Sequence, residues 1–438
     1  MELPMPDGSL IESERPSLSR SLWTDTATPR PETPPFTGPD ETDVAIVGGG
    51  FTGLSAALHL AEAGRAVTLL DSHHPGWGAS GRNGGQVIAG LKEDPEVVLR
   101  RFGAALGGRL NRLSGEAPGL VFDLCARFGI DCGASRTGWI QPAQDAAARK
   151  VQEARVRQWQ PWSEEISLLS ARETADLLGA EGYHSGLIDR RSGAVQPLSY
   201  AFGLARAALS LGAVLHGSTE VTGLARDGAG WRVTTARGVL KARCVILATN
   251  GYSGPVQDRL RRSVVPVVST QIATHPLPAN LRGNILPEGQ VVSDLYRLLV
   301  YYRLDAQNRF VIGGRGAYSE AQMPGRLETL KRKAVALYPQ LAGLDWPYHW
   351  GGYVAMTRDH LPHLHEIEPG LHAGLGYNGR GVAMATAMGR ELARRVSGTP
   401  ANALDVPTTA VTPIPFHMLR KPIVTALATW YALRDRFA

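Results

Sequence analysis

The sequence predicts an α/β fold in which one parallel-sheet domain is interrupted by a second, α+β domain. The 438-residue chain is too long for one ordinary hydrophobic core. A strand, a glycine turn, a helix and another strand follow one another over residues 43–71, which is the order of a βαβ unit. Helical and short-strand segments then fill the middle, and a second glycine turn that leads into a helix comes only at residues 376–393. The two ends of the chain are therefore expected to complete one domain around the other.

The N-terminal residues 1–40 are predicted to be a lead-in to this fold. The stretch TPRPETPPFTGPD, residues 28–40, holds five prolines and two acidic residues, so we expect an extended, weakly ordered segment, with regular structure beginning at Asp43. No apolar run follows a basic flank at the start, and none approaches the roughly 20 residues of a membrane span. Three unpatterned cysteines fit a reducing compartment. We therefore expect a cytoplasmic protein.

Composition narrows the possible partners. The net charge is +6, but the 46 basic residues are scattered and never form a basic block, which makes nucleic acid an unlikely partner. The apolar stretch at residues 422–433, flanked by arginines and a lysine, leaves peripheral membrane contact open beside the simpler reading of a packed C-terminal helix.

The order of predicted elements divides the chain into seven segments. Residues 41–91, 186–262 and 347–400 are assigned to the interrupted domain. Residues 92–185 are expected to be the helical part of the inserted domain, and residues 263–346 its β-rich part. The lead-in 1–40 and a tail at 401–438 complete the chain.

The first glycine turn predicts a dinucleotide site. Gly48, Gly50 and Gly53 give G-x-G-x-x-G directly after a strand and before a helix. The first glycine permits the tight turn, the second lets the backbone approach a pyrophosphate, and the third lets the helix pack on the strand. Asp71, at the tip of the next strand, is placed to accept hydrogen bonds from a ribose.

A second glycine-rich stretch favours FAD over NAD. HHPGWGASGRNGGQV, residues 73–87, follows the acidic strand tip at once. Glycines at this density let backbone amides lie against a phosphate or a flat ring. A merely flexible loop is the alternative.

Four stretches together resemble the D-amino-acid oxidase and glycine/sarcosine oxidase superfamily: VAIVGGGFTGLSAALHLAEAG, GASGRNGGQV, RCVILATNGY and GYNGRGVAMATAMGRELA. Within it the likeness is closest to γ-glutamylputrescine oxidase-like amine oxidoreductases. The resemblance implies a discontinuous Rossmann-type FAD-binding domain with an inserted α+β substrate domain. It also implies that the late turn brings a helix N-terminus to the flavin pyrimidine, where N–H groups and the helix dipole stabilise the negative charge of the reduced ring.

The resemblance and the motifs together give the candidate cofactor residues. They are Gly48, Gly50, Phe51, Thr52, Gly53, Asp71, Ser80, Gly81, Arg82, Asn83, Gly84, Gly85, Thr249, Asn250, Gly251, Gly376, Asn378, Gly379, Arg380 and Gly381. Gly352 stands where sarcosine oxidases tether the flavin through cysteine, which implies noncovalent FAD.

The implied reaction is amine oxidation, in which the neutral amine gives a hydride to the flavin and the imine hydrolyses to an aldehyde and ammonia. The pocket must lower the pKa of the amine by desolvation or hydrogen bonding. Candidate catalytic residues are Tyr302, Arg82 and Tyr377, the first of these by resemblance. Trp139 and Trp350 are candidate walls of the pocket.

Several positions bear on substrate and electron acceptor. Arg82, Arg303 or Arg315 is a candidate to grip a remote carboxylate. Ala383 replaces a lysine that meets amino-acid carboxylates in relatives, which argues against glycine or sarcosine.

The electron acceptor stays open between oxygen and another compound. Val311 replaces the lysine that promotes oxygen reaction in relatives, and residues 242–330 hold no lysine. A D-amino-acid dehydrogenase-like enzyme reducing a quinone is therefore kept as an alternative. An RNA-associated flavin domain is a second alternative, because the chain is basic, with a net charge of +6. No metal is expected, because the spacing of His360, His363 and His365 matches no usual zinc pattern.

Overall fold

Two large β-sheets and a small one carry the fold in this computed structural model, which describes residues 21–295, 299–316, 323–420 and 422. The strands of the first sheet are β1 (Asp40–Val47), β2 (Val67–Leu70), β8 (Val214–His216), β9 (Val221–Asp227), β10 (Gly230–Thr235), β11 (Gly238–Leu247), β17 (His363–Glu368), β18 (Leu371–Leu375) and β19 (Thr408–Thr409). Those of the second are β4 (Trp139–Ala143), β5 (Ile166–Leu169), β6 (Ser185–Asp189), β12 (Val265–Pro276), β13 (Val291–Ser293), β14 (Tyr301–Leu304), β15 (Arg309–Arg315) and β16 (Tyr348–Met356). A separate pair joins β3 (Gln86–Val87) and β7 (Gly193–Ala194).

Ten α-helices complete the described part of the chain. They are α1 (Leu22–Thr26), α2 (Phe51–Glu62), α3 (Pro95–Arg127), α4 (Ala146–Trp159), α5 (Ala171–Leu178), α6 (Pro197–Ser210), α7 (Asp258–Arg261), α8 (Ala279–Arg282), α9 (Met323–Leu337) and α10 (Gly381–Val396). None of the described helices combines the length and apolar character that crossing a bilayer requires. The segment 422–433 lies outside the described residues apart from Pro422.

The first sheet has the order β19-β17-β18-β11-β1-β2-β8, with β10 and β9 continuing antiparallel from β11. Its centre is parallel, since β1 runs parallel to both β11 and β2. Parallel strands are covered on both faces, which explains why the middle of β1 is an unbroken apolar run with Ala45 and Ile46 fully buried. This sheet confirms the predicted α/β class and the opening βαβ unit.

Helices α2 and α10 pack closely against each other beside this sheet, although more than 300 residues separate them. A Cβ atom on Gly389 would lie 2.5 Å from the Thr52 carbonyl oxygen, so the α10 backbone approaches α2 through a position that only glycine permits. Ser55 Oγ donates to the Thr386 carbonyl oxygen at 2.7 Å across the same contact. The end of the chain therefore holds the helix of the first glycine turn in place.

The second sheet has the order β16-β12-β15-β14-β13-β4-β6-β5, and it corrects two predicted segment boundaries. The boundary after residue 185 falls inside β6, and the segment 92–185 contains β4 and β5 as well as helices. The segment that begins at residue 347 opens with β16, which pairs with β12 rather than with the first sheet. Sequence patterns locate strands, whereas pairing depends on partners far along the chain.

The lead-in is better anchored than its prolines predict. Leu22 and Trp23 in α1 are fully buried, and Phe36 is 2% exposed. The Phe36 N–H donates to Thr219 Oγ1 at 2.9 Å, and β1 already begins at Asp40. The predictions that the chain is weakly ordered from residue 28 and that regular structure begins at Asp43 are therefore wrong. Prolines disfavour helices and strands, but they do not prevent neighbouring apolar side chains from packing into a core.

The histidines of β17 form hydrogen bonds with neighbouring protein groups. His363 lies 2.9 Å from Thr409 Oγ1 through Nδ1 and 3.1 Å from Asp359 through Nε2. His365 Nδ1 donates to the Thr409 carbonyl oxygen at 2.7 Å. Over the residues that the structure describes, no three histidine, cysteine, aspartate or glutamate side chains are grouped to hold a metal ion.

Two buried histidines of this region predict acid sensitivity. Burial lowers the pKa of His365 and of His372 to about 4, whereas an unfolded chain binds these protons near pH 6.5. Because the unfolded state then binds more protons, the free energy of unfolding should fall between about pH 6.5 and pH 4, by about 1.4 kcal/mol per pH unit for each histidine at most. Urea unfolding at pH 7, 6 and 5 measures this slope.

Single substitutions test whether these two side chains cause the pH dependence of the free energy of unfolding. His365→Gln and His372→Gln should each flatten the pH dependence, whereas His184→Gln, at an exposed position, should leave it unchanged. Equal slopes in all three variants would contradict the assignment.

Candidate active site

A cavity of about 1190 Å³ lies between the two large sheets, and each of them supplies one wall. The first sheet contributes the turn at Gly48–Thr52, the tip of β2 at Asp71, and residues 249–250 after β11. The second sheet contributes side chains from β4, β12, β13 and β14. The late turn, residues 377–381, lies along the cavity as well.

The turn after β1 is shaped by glycine at each position of the motif. Gly48 has φ +108°, and its N–H donates to the Leu70 carbonyl oxygen at 2.9 Å. A Cβ on Gly50 would lie 2.9 Å from Ser80 Oγ, and one on Gly53 would lie 1.9 Å from the Gly48 carbonyl oxygen. Side chains are thus excluded at these three positions, and the backbone of Gly48 and Gly50 forms part of the cavity wall.

Asp71 connects the tip of β2 to this turn. Its Oδ2 accepts the Gly49 N–H at 2.6 Å, and its Oδ1 accepts the His73 N–H at 2.8 Å. Burial raises the pKa of this carboxyl group. Each oxygen carries two lone pairs, so the carboxylate retains acceptor sites for ligand hydroxyls.

The glycine-rich loop is fixed by side-chain hydrogen bonds. Ser80 Oγ accepts the Phe51 N–H at 2.9 Å, and Asn83 Oδ1 accepts the Gly85 N–H at 2.8 Å. Arg82 donates through Nε to the Trp77 carbonyl oxygen at 2.7 Å, and its guanidinium lies 4.7 Å from the Trp77 ring centroid. The loop is therefore a built wall rather than a flexible connection.

Arg303 holds this loop from behind. Its Nε donates to the Gly84 carbonyl oxygen at 2.7 Å and its Nη2 to the Val195 carbonyl oxygen at 2.8 Å, while its guanidinium lies over Trp23. Burial lowers its pKa to about 10. Arg303 is 4% exposed and does not line the cavity, so the prediction that it grips a substrate carboxylate is wrong.

The late turn is joined to residues 249–251 by a long-range hydrogen bond, from the Gly376 N–H to Asn250 Oδ1 at 3.0 Å. Asn378, with φ +51°, accepts the Thr357 N–H on its Oδ1 at 2.9 Å. Gly379 has φ +89°, and α10 begins at Gly381 with no side-chain cap. The first N–H groups of α10 therefore remain available beside the cavity.

The structure divides the predicted cofactor residues into two sets. Fifteen line the cavity: Gly48, Gly50, Phe51, Thr52, Asp71, Ser80, Arg82, Asn83, Gly84, Thr249, Asn250, Asn378, Gly379, Arg380 and Gly381. Five do not: Gly53, Gly81, Gly85, Gly251 and Gly376. Except at Gly251, an added Cβ on these glycines would lie within 2.3 Å of a neighbouring atom, so they permit close packing.

These walls fit a dinucleotide with a flat ring. The glycine turn, the acidic strand tip and the uncapped start of α10 follow one another along one continuous cavity. A family model described as FAD dependent oxidoreductase (DAO) matches residues 43–395. This chain belongs to the DAO family. It is an FAD-dependent oxidoreductase, as the sequence predicts.

Its similarity to known DAO-family proteins extends over most of the chain. It is 32% identical to γ-glutamylputrescine oxidoreductase of Escherichia coli K12 over 398 residues, covering 90% of this chain and 93% of the relative. A probable oxidoreductase, OrdL, of Haemophilus influenzae is 31% identical, covering 86% and 88%. The crystal structure of glycine oxidase from Geobacillus kaustophilus has a TM-score of 0.72 at 26% identity, covering 85% of this chain and 99% of that one.

The second wall of the DAO-family cavity is a row of residues running across the second sheet. Gln271 and Tyr301 both lie opposite Gly313, Ser293 lies opposite Tyr301, and Gln141 follows Ile140, the partner of Val292. Gln271, Tyr301, Ser293 and Gln141 all line the cavity, and we call these four residues the cavity floor. Cross-strand neighbours point to the same face of a sheet, which explains why residues so far apart in sequence meet here.

Tyr301, not Tyr302, faces the cavity. Its ring lies where a Cβ on Gly84 or on Gly313 would be, at 2.7 and 2.3 Å respectively. Its hydroxyl is 2.8 Å from Ser269 Oγ, which donates to the Gly314 carbonyl oxygen, so Tyr301 donates to Ser269. Burial raises its pKa to about 12.

Tyr302 points to the opposite face of β14. It is 1% exposed and packs on Phe310 and Tyr338, with ring centroids 5.8 and 6.0 Å away. The prediction that Tyr302 lies on the cavity side is therefore wrong, and Tyr301 lines the cavity instead, because side chains alternate along a strand.

The tyrosine pair gives a matched test. Tyr301→Phe is expected to lower kcat/KM roughly tenfold, because it removes a hydroxyl from the cavity floor, with little change in the midpoint of unfolding. Tyr302→Phe should leave kcat/KM within about twofold, since that side chain lies in the apolar core behind the sheet. Steady-state kinetics and thermal unfolding of both variants measure this, and a larger kinetic defect in Tyr302→Phe would contradict the assignment.

The other residues predicted to line the pocket also differ in whether they reach the cavity. Tyr377 lines the cavity, but its hydroxyl is buried 2.5 Å from Thr52 Oγ1, which joins the late turn to α2. Trp350 is 1% exposed and packs against Trp23, behind the wall rather than on it. Trp139 lies beneath the Arg380 guanidinium, 4.7 Å from it.

The structure also shows where the positions that differ from sarcosine oxidases lie. Gly352 lines the cavity, and a Cβ there would lie 3.0 Å from Arg82 Cβ. Among the described residues lining the cavity none is cysteine. Val311 and Ala383 are buried away from it, whereas Arg315 lines it.

Sequence reasoning missed a group of polar residues that line the cavity. Lys92, Arg155 and the floor residues Gln141, Ser293 and Gln271 line it from segments where no motif marks them. The alternation of side chains along a strand could have suggested some of these residues. It does not show, however, which face of the sheet meets the cofactor domain.

Proposed function

We propose that this chain oxidises a primary amine to an aldehyde and ammonia, with γ-glutamylputrescine as the favoured substrate, noncovalent FAD as the redox group and oxygen as the electron acceptor, yielding hydrogen peroxide. The similarity to γ-glutamylputrescine oxidoreductase over 90% of the chain supports the substrate class. The observation that best supports amine oxidation is that the cavity floor is polar but uncharged.

The cavity floor suits a neutral amine. Tyr301, Ser293 and Gln271 are polar but uncharged, and Gln271 Oε1 is a buried acceptor without a hydrogen-bond partner in the described part of the chain. Such an oxygen can accept an N–H of the amine. Placing the amine among desolvated, uncharged groups lowers its pKa, which favours the form that can lose a hydride.

The chemistry divides between cofactor and chain. Bound FAD would accept the hydride from the carbon next to nitrogen, and the resulting imine takes up water to give the aldehyde and ammonia. The chain orients the amine through Gln271 and Tyr301 and places the N-terminus of α10 beside the cavity, where its partial positive charge stabilises an anion.

The direct test is the visible spectrum of the purified holoprotein. Acid precipitation should release FAD into the supernatant. Under nitrogen, γ-glutamylputrescine should bleach the flavin absorbance, and air should restore it with one equivalent each of ammonia and hydrogen peroxide.

The other outcomes are equally informative. Flavin that stays with the precipitate would contradict noncovalent binding. Bleaching that persists in air would point to another acceptor, such as a quinone. Bleaching by glycine or sarcosine but not by γ-glutamylputrescine would overturn the proposed substrate.

A further inference from the structure

Three cationic side chains that line the cavity lie within electrostatic reach of one another: Lys92, Arg155 and Arg380, which we call the cationic recess. Arg155 donates to Gln141 at 2.5 Å through Nη1, and Arg380 lies over Trp139. Trp139 and Gln141 are two residues apart on β4 and so share one face, which brings both guanidinium groups over the same strand. Arg155 also contacts Asp94 at 2.6 Å, and Asp94 is two residues beyond Lys92.

The charges of the cationic recess are not balanced by its acidic neighbours. Asp94 is paired with Arg155, and Asp189, which also attracts Arg380, is paired with Arg191. Glu93 lies 3.0 Å from His360, so it offsets at most one of the two remaining cations. Neither Lys92 nor Arg380 has an ion-pair partner in the ranges that the structure describes, and Arg380 Nη1 is a buried donor with no hydrogen bond there. Burial and mutual repulsion lower the pKa of Lys92 and bring that of Arg380 to about 10. Unpaired cations of this kind are stabilised by an anion.

We propose that the cationic recess binds a carboxylate of the substrate, and so selects amines whose carboxylate lies far from the oxidised C–N bond. This inference rests on the proposed function, whose reaction centre it places near Tyr301. Along the cavity floor, Gln141 and Tyr301 are two strands apart, or about 10 Å. The ten bonds between the terminal amine and the carboxyl carbon of γ-glutamylputrescine span about 12 Å when extended.

The same placement explains selectivity against short amino acids. In glycine or sarcosine the carboxylate is attached to the carbon that is oxidised, so it cannot reach the cationic recess while the C–N bond lies near Tyr301. Putrescine reaches the reaction centre but offers the cationic recess another positive charge. Both should be poor substrates.

The test uses the holoprotein, the variant Lys92→Met and the control Lys150→Met, which removes the same charge from an exposed position on α4. Lys92→Met should raise KM for γ-glutamylputrescine roughly tenfold to hundredfold with kcat within about twofold, because a charge-assisted contact is lost. The carboxyl ethyl ester of the same substrate, which offers no anion, should lose no kcat/KM in Lys92→Met relative to the wild type. Lys150→Met should match the wild type on both substrates.

A binding measurement separates this inference from the proposed reaction. γ-Glutamyl-n-butylamide keeps the carboxylate but lacks the terminal amine, so its Kd can be measured by calorimetry without turnover. The Kd should rise at least tenfold in Lys92→Met and stay unchanged in Lys150→Met. If the wild type binds this probe in a Lys92-dependent way but does not oxidise γ-glutamylputrescine, only the proposed function fails.

The inference is overturned if Lys92→Met binds the probe as tightly as the wild type, or if it weakens the ester and the carboxylate equally. It is also overturned if Lys150→Met gives the same loss as Lys92→Met, since the effect would then come from net charge. Lys92→Arg, which keeps the charge, should restore most of the affinity if the carboxylate contact is the cause.

Discussion

Gly53→Ala is expected to leave the protein without bound FAD and to lower its free energy of unfolding by about 3 kcal/mol. The added Cβ would lie 1.9 Å from the Gly48 carbonyl oxygen and 3.2 Å from Ile46 Cγ2. A backbone oxygen cannot move aside as the end of a flexible side chain can, so the turn itself must open. FAD content of the purified variant and its urea unfolding curve measure the two effects.

Gly108→Ala is the matched control for this substitution. Gly108 lies inside α3, and a Cβ there would meet nothing within 4 Å. Alanine should therefore stabilise the helix by roughly 0.5–1 kcal/mol and leave FAD content unchanged. A Gly53→Ala protein that purifies with a full complement of FAD would show that the turn tolerates displacement and would contradict its assignment as a rigid phosphate cradle.

Asp71→Ala is expected to weaken FAD binding at least a hundredfold, or by about 3 kcal/mol. The carboxylate accepts the N–H groups of Gly49 and His73, and its loss leaves both amides without that acceptor while removing the expected ribose contact. Titration of the apoprotein with FAD, followed by flavin fluorescence, gives the dissociation constant.

Asp71→Asn separates charge from shape. It keeps the size and one acceptor oxygen, so its affinity for FAD should lie between those of the wild type and Asp71→Ala. Affinity equal to the wild type would show that the negative charge is not used. Wild-type affinity in Asp71→Ala would remove the carboxylate from the cofactor site altogether.

Local motifs could be predicted because their physical requirements are local. Gly48, Gly50 and Gly53 lie within six residues, and each excludes a side chain for a reason set by the turn and its immediate contacts. The acidic strand tip follows from the length of one helix and one strand. The late turn could be matched to the same cofactor only by resemblance, since nothing local joins it to the first turn.

Residues that alternate or pair across the sheet could not be assigned in this way. Tyr301 and Tyr302 are adjacent, equally aromatic and both buried enough to raise their pKa. Periodicity shows only that one of them faces the cavity. Gly84 and Gly313, from two other segments, leave the space that admits the ring of Tyr301, and this contact exists only in the folded chain.

The sequence by itself determined the α/β class, a domain interrupted by a second one and the two glycine turns, because hydrophobic periodicity and glycine placement act over a few residues. The family resemblance, not periodicity, joined the separate segments into one FAD-binding domain. Only the tertiary structure decided that Arg303 holds the glycine-rich loop, that β16 joins the second sheet, and that Lys92, Arg155 and Arg380 come together in the wall of the cavity. The physical reason is that sheet pairing and cavity walls depend on contacts between segments far apart in the chain.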